Sequence, residues 1–186
     1  MLSATWDPGP LKDDIRAELN ITELAYPFLG KQLLEEPLST SLIEILKDLV
    51  AHCRVAHDIW SLSDAVTAEL ESWLFRRFQA IQYRLIFQYH DGASTYLDRC
   101  ISLAALVFAC GSTPSHGPQL GARYLAKALR GVLEEDTTAW KYLSSENLRL
   151  WCIYVGSVAP GPPEDKSWFQ GQLKLHVSQR ATTVDP

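Results

Sequence analysis

The chain has 186 residues, of which 47 % are hydrophobic and 21 % charged, and its formal net charge at pH 7 is -5. This composition is typical of a soluble globular protein and excludes fibrous and fully disordered chains. The length fits one domain whose core needs no disulfides. The excess of acidic residues and the lack of a basic cluster argue against direct binding of this chain to nucleic acid, because phosphates must be neutralised by grouped Lys and Arg.

The four cysteines lie in apolar stretches, far apart in sequence, at Cys53, Cys100, Cys110 and Cys152. This spacing lacks the closely spaced cysteine pairs that bind zinc in a zinc finger. We therefore expect buried free thiols and a reducing compartment. The N-terminus has no secretory pattern, and the most apolar run, 101–110, is too short to cross a membrane. The sequence therefore predicts a protein inside the cell with no membrane association.

Three regions are expected along the chain. Residues 1–10 are rich in Pro and Gly and predict a flexible lead-in. Residues 11–179 predict a helical domain, with short pieces between 11 and 36 that are interrupted at Pro27 because proline lacks an amide donor. Residues 180–186 are expected to form a flexible tail.

The first two long helices are predicted by apolar spacings of three and four residues. These spacings run from Leu42 to Trp60 and again from Val66 to Tyr89. Ser41 and Glu44 have the spacing of a capping box at the start of the first helix.

Basic residues on the second of these helices are the densest in the chain. Arg76 and Arg77 are followed two turns later by Arg84. We expect a solvated helix edge, or pairing with nearby Glu69 and Glu71, in preference to phosphate binding.

The stretch from Tyr96 to Cys110 is apolar on nearly every side and predicts a central helix, capped by Ser94 or Thr95. After the loop at 111–118, helical spacing resumes from Leu120 to Leu133.

Two more helices are predicted near the C-terminus. The first has Leu148 to Val155 on its apolar face, and Pro163 fits the first turn of the last helix. No stretch of the sequence alternates apolar and polar residues for long enough to predict a β-strand. We therefore predict an all-α fold, a single domain of about six or seven packed helices.

Two side-chain pairs could bind a metal. Asp13 and Asp14 resemble half of a magnesium cluster, although acids opposing a helix dipole explain them more simply. Cys53 and His57 are one turn apart but lie on the predicted apolar stripe without further ligands, so we interpret them as core residues. No nucleophile and base pattern and no phosphate loop is present. We assign no catalytic, cofactor-binding or metal residues and no cofactor.

The chain contains six tryptophans, most of them on or beside apolar stripes. This placement favours core packing, with an apolar small-molecule pocket as the alternative. Trp151 and Trp168 are expected to pack near the joint between the last two helices and to hold the last helix against the central one.

Two segments of the C-terminal half resemble a known family. They are 98–108, DRCISLAALVF, and 148–159, LRLWCIYVGSVA, followed by Trp168 and Phe169. Over about residues 94–175 the pattern is similar to the C-terminal regulatory region of fungal zinc-cluster transcription factors. The six-cysteine cluster and basic linker of those proteins are absent, so the resemblance is to an orphan or truncated form.

The resemblance implies a non-enzymatic regulatory or interaction domain, located in the nucleus, or otherwise in the cytoplasm. The expected protein partner is the transcription machinery or a second copy of this chain. A small apolar effector is a further possible ligand. Direct contact with nucleic acid or membrane is not expected. The alternative is a small all-helical enzyme or metabolite-binding protein whose site is dispersed along the chain.

Overall fold

The computed structural model describes residues 8–10, 37–61, 67–112, 118–135 and 146–183. Within these residues the fold is all-α, as predicted, and the helices pack together without any strand. The six helices are α1 (Thr40–Ser61), α2 (Ala68–His90), α3 (Tyr96–Ser112), α4 (Pro118–Glu135), α5 (Glu146–Val158) and α6 (Pro163–Thr183). The short helices predicted between residues 11 and 36 lie outside the described residues.

Helix α3 lies at the centre of the fold. Every residue from Cys100 to Val107 is buried, as expected for a helix that is apolar on all sides. Helices α2 and α4 make its most extensive contacts, and α5 and α1 also pack on it. The prediction of a central helix here is confirmed.

The carboxylate of Asp98 joins the starts of α1 and α3. It accepts hydrogen bonds from the backbone amides of Ser39 at 2.9 Å and Thr95 at 3.2 Å, and its side chain is 1 % exposed. Thr95 in turn accepts from the amide of Asp98 at 3.0 Å, which completes a reciprocal cap. The predicted cap at Thr95 is confirmed, and the carboxylate also fixes where α1 begins.

The cap of α1 differs from the prediction. The hydroxyl of Ser39 accepts from the amide of Leu42 at 3.4 Å. Ser41 lies inside the helix, where its hydroxyl donates to Oε1 of Gln88 at 2.8 Å, so the predicted Ser41 and Glu44 capping box is wrong.

An ion-pair cluster connects α1 to α2. Asp48 contacts Arg77 at 3.1 Å and also pairs with Arg84. Arg77 is only 8 % exposed in its side chain. The interpretation as a solvated edge is therefore wrong for Arg77, because a carboxylate on the preceding helix draws it inward. It is correct for Arg76, which is exposed, while Arg84 is half-buried beside Asp48.

The last two helices are connected by the short segment 159–162, and they pack closely against each other. Pro163 occupies the first turn of α6, as predicted. Helix α6 extends to Thr183, so it continues into the segment where we expected a tail to begin at residue 180.

Candidate functional site: an apolar groove along α1

A cavity of about 570 Å³ lies between α1, α3 and α5. Helices α1 and α5 both pack on α3, but they make little contact with each other, which leaves the space above α3 open. We call this cavity the groove. It is lined by Leu46, Leu49, Val50, Cys53, Arg54, His57, Asp58, Phe108 and Trp151.

One face of α1 forms the long wall of the groove. Its lining residues recur at spacings of three and four from Leu46 to Asp58, so they lie on one side of the helix. At 1.5 Å per residue this face is about 18 Å long. The groove is therefore elongated along α1.

Two aromatic rings form the remaining walls. Phe108 of α3 and Trp151 of α5 are both half-buried, and their ring centroids are 6.5 Å apart at an interplanar angle of 51°. The expectation that Trp151 packs near the joint with α6 is wrong, because its ring lies beside Phe108 of α3. Trp168 lies beneath the guanidinium of Arg130, 5.5 Å from it, and lines a different cavity.

The groove changes character along its length. Leu46 and Leu49 make one end apolar, whereas Arg54, His57 and Asp58 supply polar groups towards the C-terminus of α1. The side chain of His57 is 83 % exposed, and its Nδ1 lies 3.5 Å from Oδ1 of Asp58. The interpretation of His57 as a core residue is therefore wrong, because its turn of α1 faces the groove mouth and solvent.

Cys53 is half-buried in the wall of the groove and packs against the core. Burial raises the pKa of its thiol to about 11. At neutral pH the side chain is therefore a protonated, apolar group and not a nucleophile or a ready metal ligand. Among the described residues no three His, Cys, Asp or Glu side chains are grouped so that they could hold a metal ion. Asp13 and Asp14 lie outside that part of the chain.

The neighbouring histidine, His52, faces away from the groove. It is buried between α1 and α2, with its ring 5.4 Å from that of Phe78 and 5.9 Å from that of Trp73. Burial, and secondarily the charge of Arg77, lowers its pKa to about 4. His52 is therefore an uncharged core ring, and the core histidine of α1 is this residue and not His57.

The groove has the size and surface expected of a small-molecule site. Such sites measure about 300–1,000 Å³ and combine apolar walls with a few polar groups. Its walls of Leu, Val and aromatic side chains can cover the apolar surface of a ligand, and its polar end can orient that ligand. Cys53, His57 and Asp58 all line the groove, but among the described residues no hydrogen bond joins the thiol of Cys53 to the ring of His57.

Sequence reasoning assigned none of the groove residues a binding role. The aromatic content did indicate an apolar pocket as an alternative, and Trp151 was among the residues considered. Phe108 gave no separate signal, because it follows a run of apolar residues in α3 that shows no distinct face.

Within the described residues, no helix combines the length and apolar composition that crossing a bilayer requires. Comparison with family models, curated proteins and solved structures gives no match to this chain.

Proposed function

We propose that this chain is a non-enzymatic helical regulatory domain that binds a small, mainly apolar molecule in the groove. The observation that carries the proposal is the cavity of about 570 Å³ walled by Phe108, Trp151 and one face of α1. A cavity of that size between packed helices leaves apolar surface exposed to water. A ligand that removes this surface from water gains about 25 cal/mol per Å².

The shape of the groove restricts the ligand. Its length of about 18 Å along α1 favours an extended molecule. The apolar end at Leu46 and Leu49 suits the ligand's hydrocarbon part, and Arg54 and Asp58 suit one polar group at the other end. We therefore propose an amphiphilic ligand with a single polar end.

The resemblance to the regulatory region of fungal zinc-cluster transcription factors supports a regulatory role. The resembling segments contribute Phe108 and Trp151, which form two walls of the groove. On this proposal the bound ligand sets how α5 packs on α3, and a protein partner in the nucleus responds to that change.

The proposal is tested by titrating the protein with the fluorescent probe anilinonaphthalene sulfonate. The variant Val50→Trp places an indole in the groove, since Val50 is half-buried and lines it. The matched control is Val177→Trp on α6, where the valine is 65 % exposed and lines no described cavity. A second blocking variant is Cys53→Phe.

We expect saturable binding by the wild type and by Val177→Trp, and binding at least about tenfold weaker in both blocking variants. Circular dichroism and the unfolding midpoint establish that each variant is folded. Equal probe binding by folded wild type and folded Val50→Trp would contradict the proposal, because the probe would then bind elsewhere.

A further inference from the structure

A second cavity, of about 170 Å³, lies between α4, α5 and α6. Arg149 and Ile153 reach it from α5, on the face of that helix opposite Trp151. The two cavities are therefore separated by α5. We call the second one the Arg149 cavity, and its lining is Leu133, Glu134, Arg149, Ile153, Trp168 and Gln172.

Arg149 differs from other half-buried arginines of the fold. Arg84, Arg99 and Arg130 each contact a carboxylate, at Asp48, Glu135 and Asp165 respectively. Among the described residues, Arg149 has no hydrogen-bond or ion-pair partner. A half-buried guanidinium retains five N–H donors, and it binds carboxylates and phosphates in a bidentate manner.

Two further donor-bearing side chains line the same cavity. The amide of Gln172 and the indole N–H of Trp168 also have no hydrogen-bond partner within the described part of the chain. Side chains that carry hydrogen-bond donors therefore line this space from both α5 and α6.

The acidic residue of the cavity is already engaged. Oε1 of Glu134 accepts a hydrogen bond from Nε of Arg130 at 3.0 Å, and Arg130 also donates to Asp165 at 3.0 Å. The guanidinium of Arg130 lies 5.5 Å from the centre of the Trp168 ring. Arg130 is shared between Glu134 and Asp165, so it offsets only one of these two negative charges. Its hydrogen bond nevertheless holds Glu134 on its own helix, and the guanidinium of Arg149 is left without a carboxylate partner among the described residues.

We propose that the Arg149 cavity binds a small anion through a carboxylate or phosphate group. The guanidinium of Arg149 pairs with the oxyanion, and Gln172 and Trp168 donate to its remaining oxygens. A volume of about 170 Å³ is that of several water molecules at about 30 Å³ each, which suits a phosphate or a short carboxylic acid. This site is independent of the groove and of the ligand proposed there.

The experiment is a nitrogen-edited NMR titration of the full chain with inorganic phosphate and, separately, with acetate. Sodium chloride at matched ionic strength is the reference. The indole N–H of Trp168 and the side-chain amide of Gln172 report on the cavity, and Trp168→Phe and Gln172→Leu assign their signals. Arg149→Gln removes the charge, and the matched control is Arg123→Gln, since Arg123 is exposed on α4.

We expect saturable shifts of both signals with at least one of the two anions, and the tighter anion identifies the ligand class. Arg149→Gln should weaken that binding by about tenfold or more, as for loss of a charge-assisted hydrogen bond, whereas Arg123→Gln should change it less than about twofold. Shifts no larger than those with chloride would overturn the proposal. So would unchanged affinity in a folded Arg149→Gln, and neither result would bear on probe binding in the groove.

Discussion

Gly156 of α5 lies directly against the aromatic ring of Phe169 in α6, so closely that a methyl group at position 156 would overlap the ring. Phe169 is fully buried. The absence of a side chain at Gly156 therefore sets how near α5 and α6 approach. Helix α5 also contributes Trp151 to the groove and Arg149 to the Arg149 cavity.

Gly156→Ala should destabilise the protein by about 1–3 kcal/mol, because the added methyl overpacks the joint between α5 and α6. Gly171→Ala is the matched control, since Gly171 lies inside α6 and a methyl group added there would meet open space. It should stabilise the protein by about 0.5–1 kcal/mol through helix propensity. Urea unfolding measures both changes, and destabilisation of equal size would contradict the close contact.

Asp98→Ala should destabilise the protein by about 2–4 kcal/mol, because the buried carboxylate accepts from two backbone amides that would lose their partner. The carboxylate of Asp91 also accepts a hydrogen bond from a backbone amide, that of Ala93, but Asp91 is exposed. Asp91→Ala should cost about 1 kcal/mol or less, since water replaces the lost bond. Chemical unfolding of the two variants compares them, and similar losses would count against the buried role of Asp98.

His52 should make the protein less stable in mild acid. Its pKa is about 4 in the folded state against 6.5 for a free histidine. Between these values the unfolded chain binds a proton that the folded chain does not, so stability falls as the pH falls from 6.5 to 4. The loss levels off below pH 4 and amounts to about 3 kcal/mol.

The variant His52→Phe should flatten this part of the stability profile, because it keeps the ring stacked on Phe78 and removes the titrating group. His57→Phe, at an exposed site, should leave the profile unchanged. Unfolding free energies measured from pH 7 to pH 4 provide the comparison. An unchanged slope in His52→Phe would show that other groups dominate acid sensitivity.

Cys53 should react slowly with iodoacetamide at neutral pH. Its pKa of about 11, against an ordinary value of 9.0, lowers the thiolate fraction by about a hundredfold, and only the thiolate reacts. The rate in the folded protein should therefore be about a hundredfold below that of the same residue in urea. Peptide mass spectrometry measures both rates, and fast alkylation of the folded protein would restore a reactive role for this thiol.

The sequence predicted the fold where the signal was local. The all-round apolar character of residues 101–107 placed α3 at the centre, and Thr95 was recognised as a possible cap. The cap at Ser39 was not recognised, because the Ser41 and Glu44 spacing matched a local motif while Gln88, distant in sequence, binds Ser41.

The groove and the Arg149 cavity depend on how helices distant in sequence pack together, which the sequence pattern of a single helix does not reveal. The groove exists because α1 and α5 pack on α3 and scarcely on each other, which is a property of the assembled helices. The pairing of Arg77 with Asp48 likewise joins two helices, so inspection of α2 alone suggested solvent. That Arg149 has no partner within the described ranges is visible only once its neighbours are placed.

The central claim is that the groove removes an apolar ligand from water. Isothermal titration with straight-chain alcohols of increasing length tests it most directly. The dissociation constant should fall about fourfold for each added methylene, since burial of one such group contributes about 0.8 kcal/mol, until the chain fills the groove. In Val50→Trp this dependence should be lost, and in Val177→Trp it should be retained. A dissociation constant that does not change with chain length in the wild type, or the same dependence in folded Val50→Trp, would contradict the account.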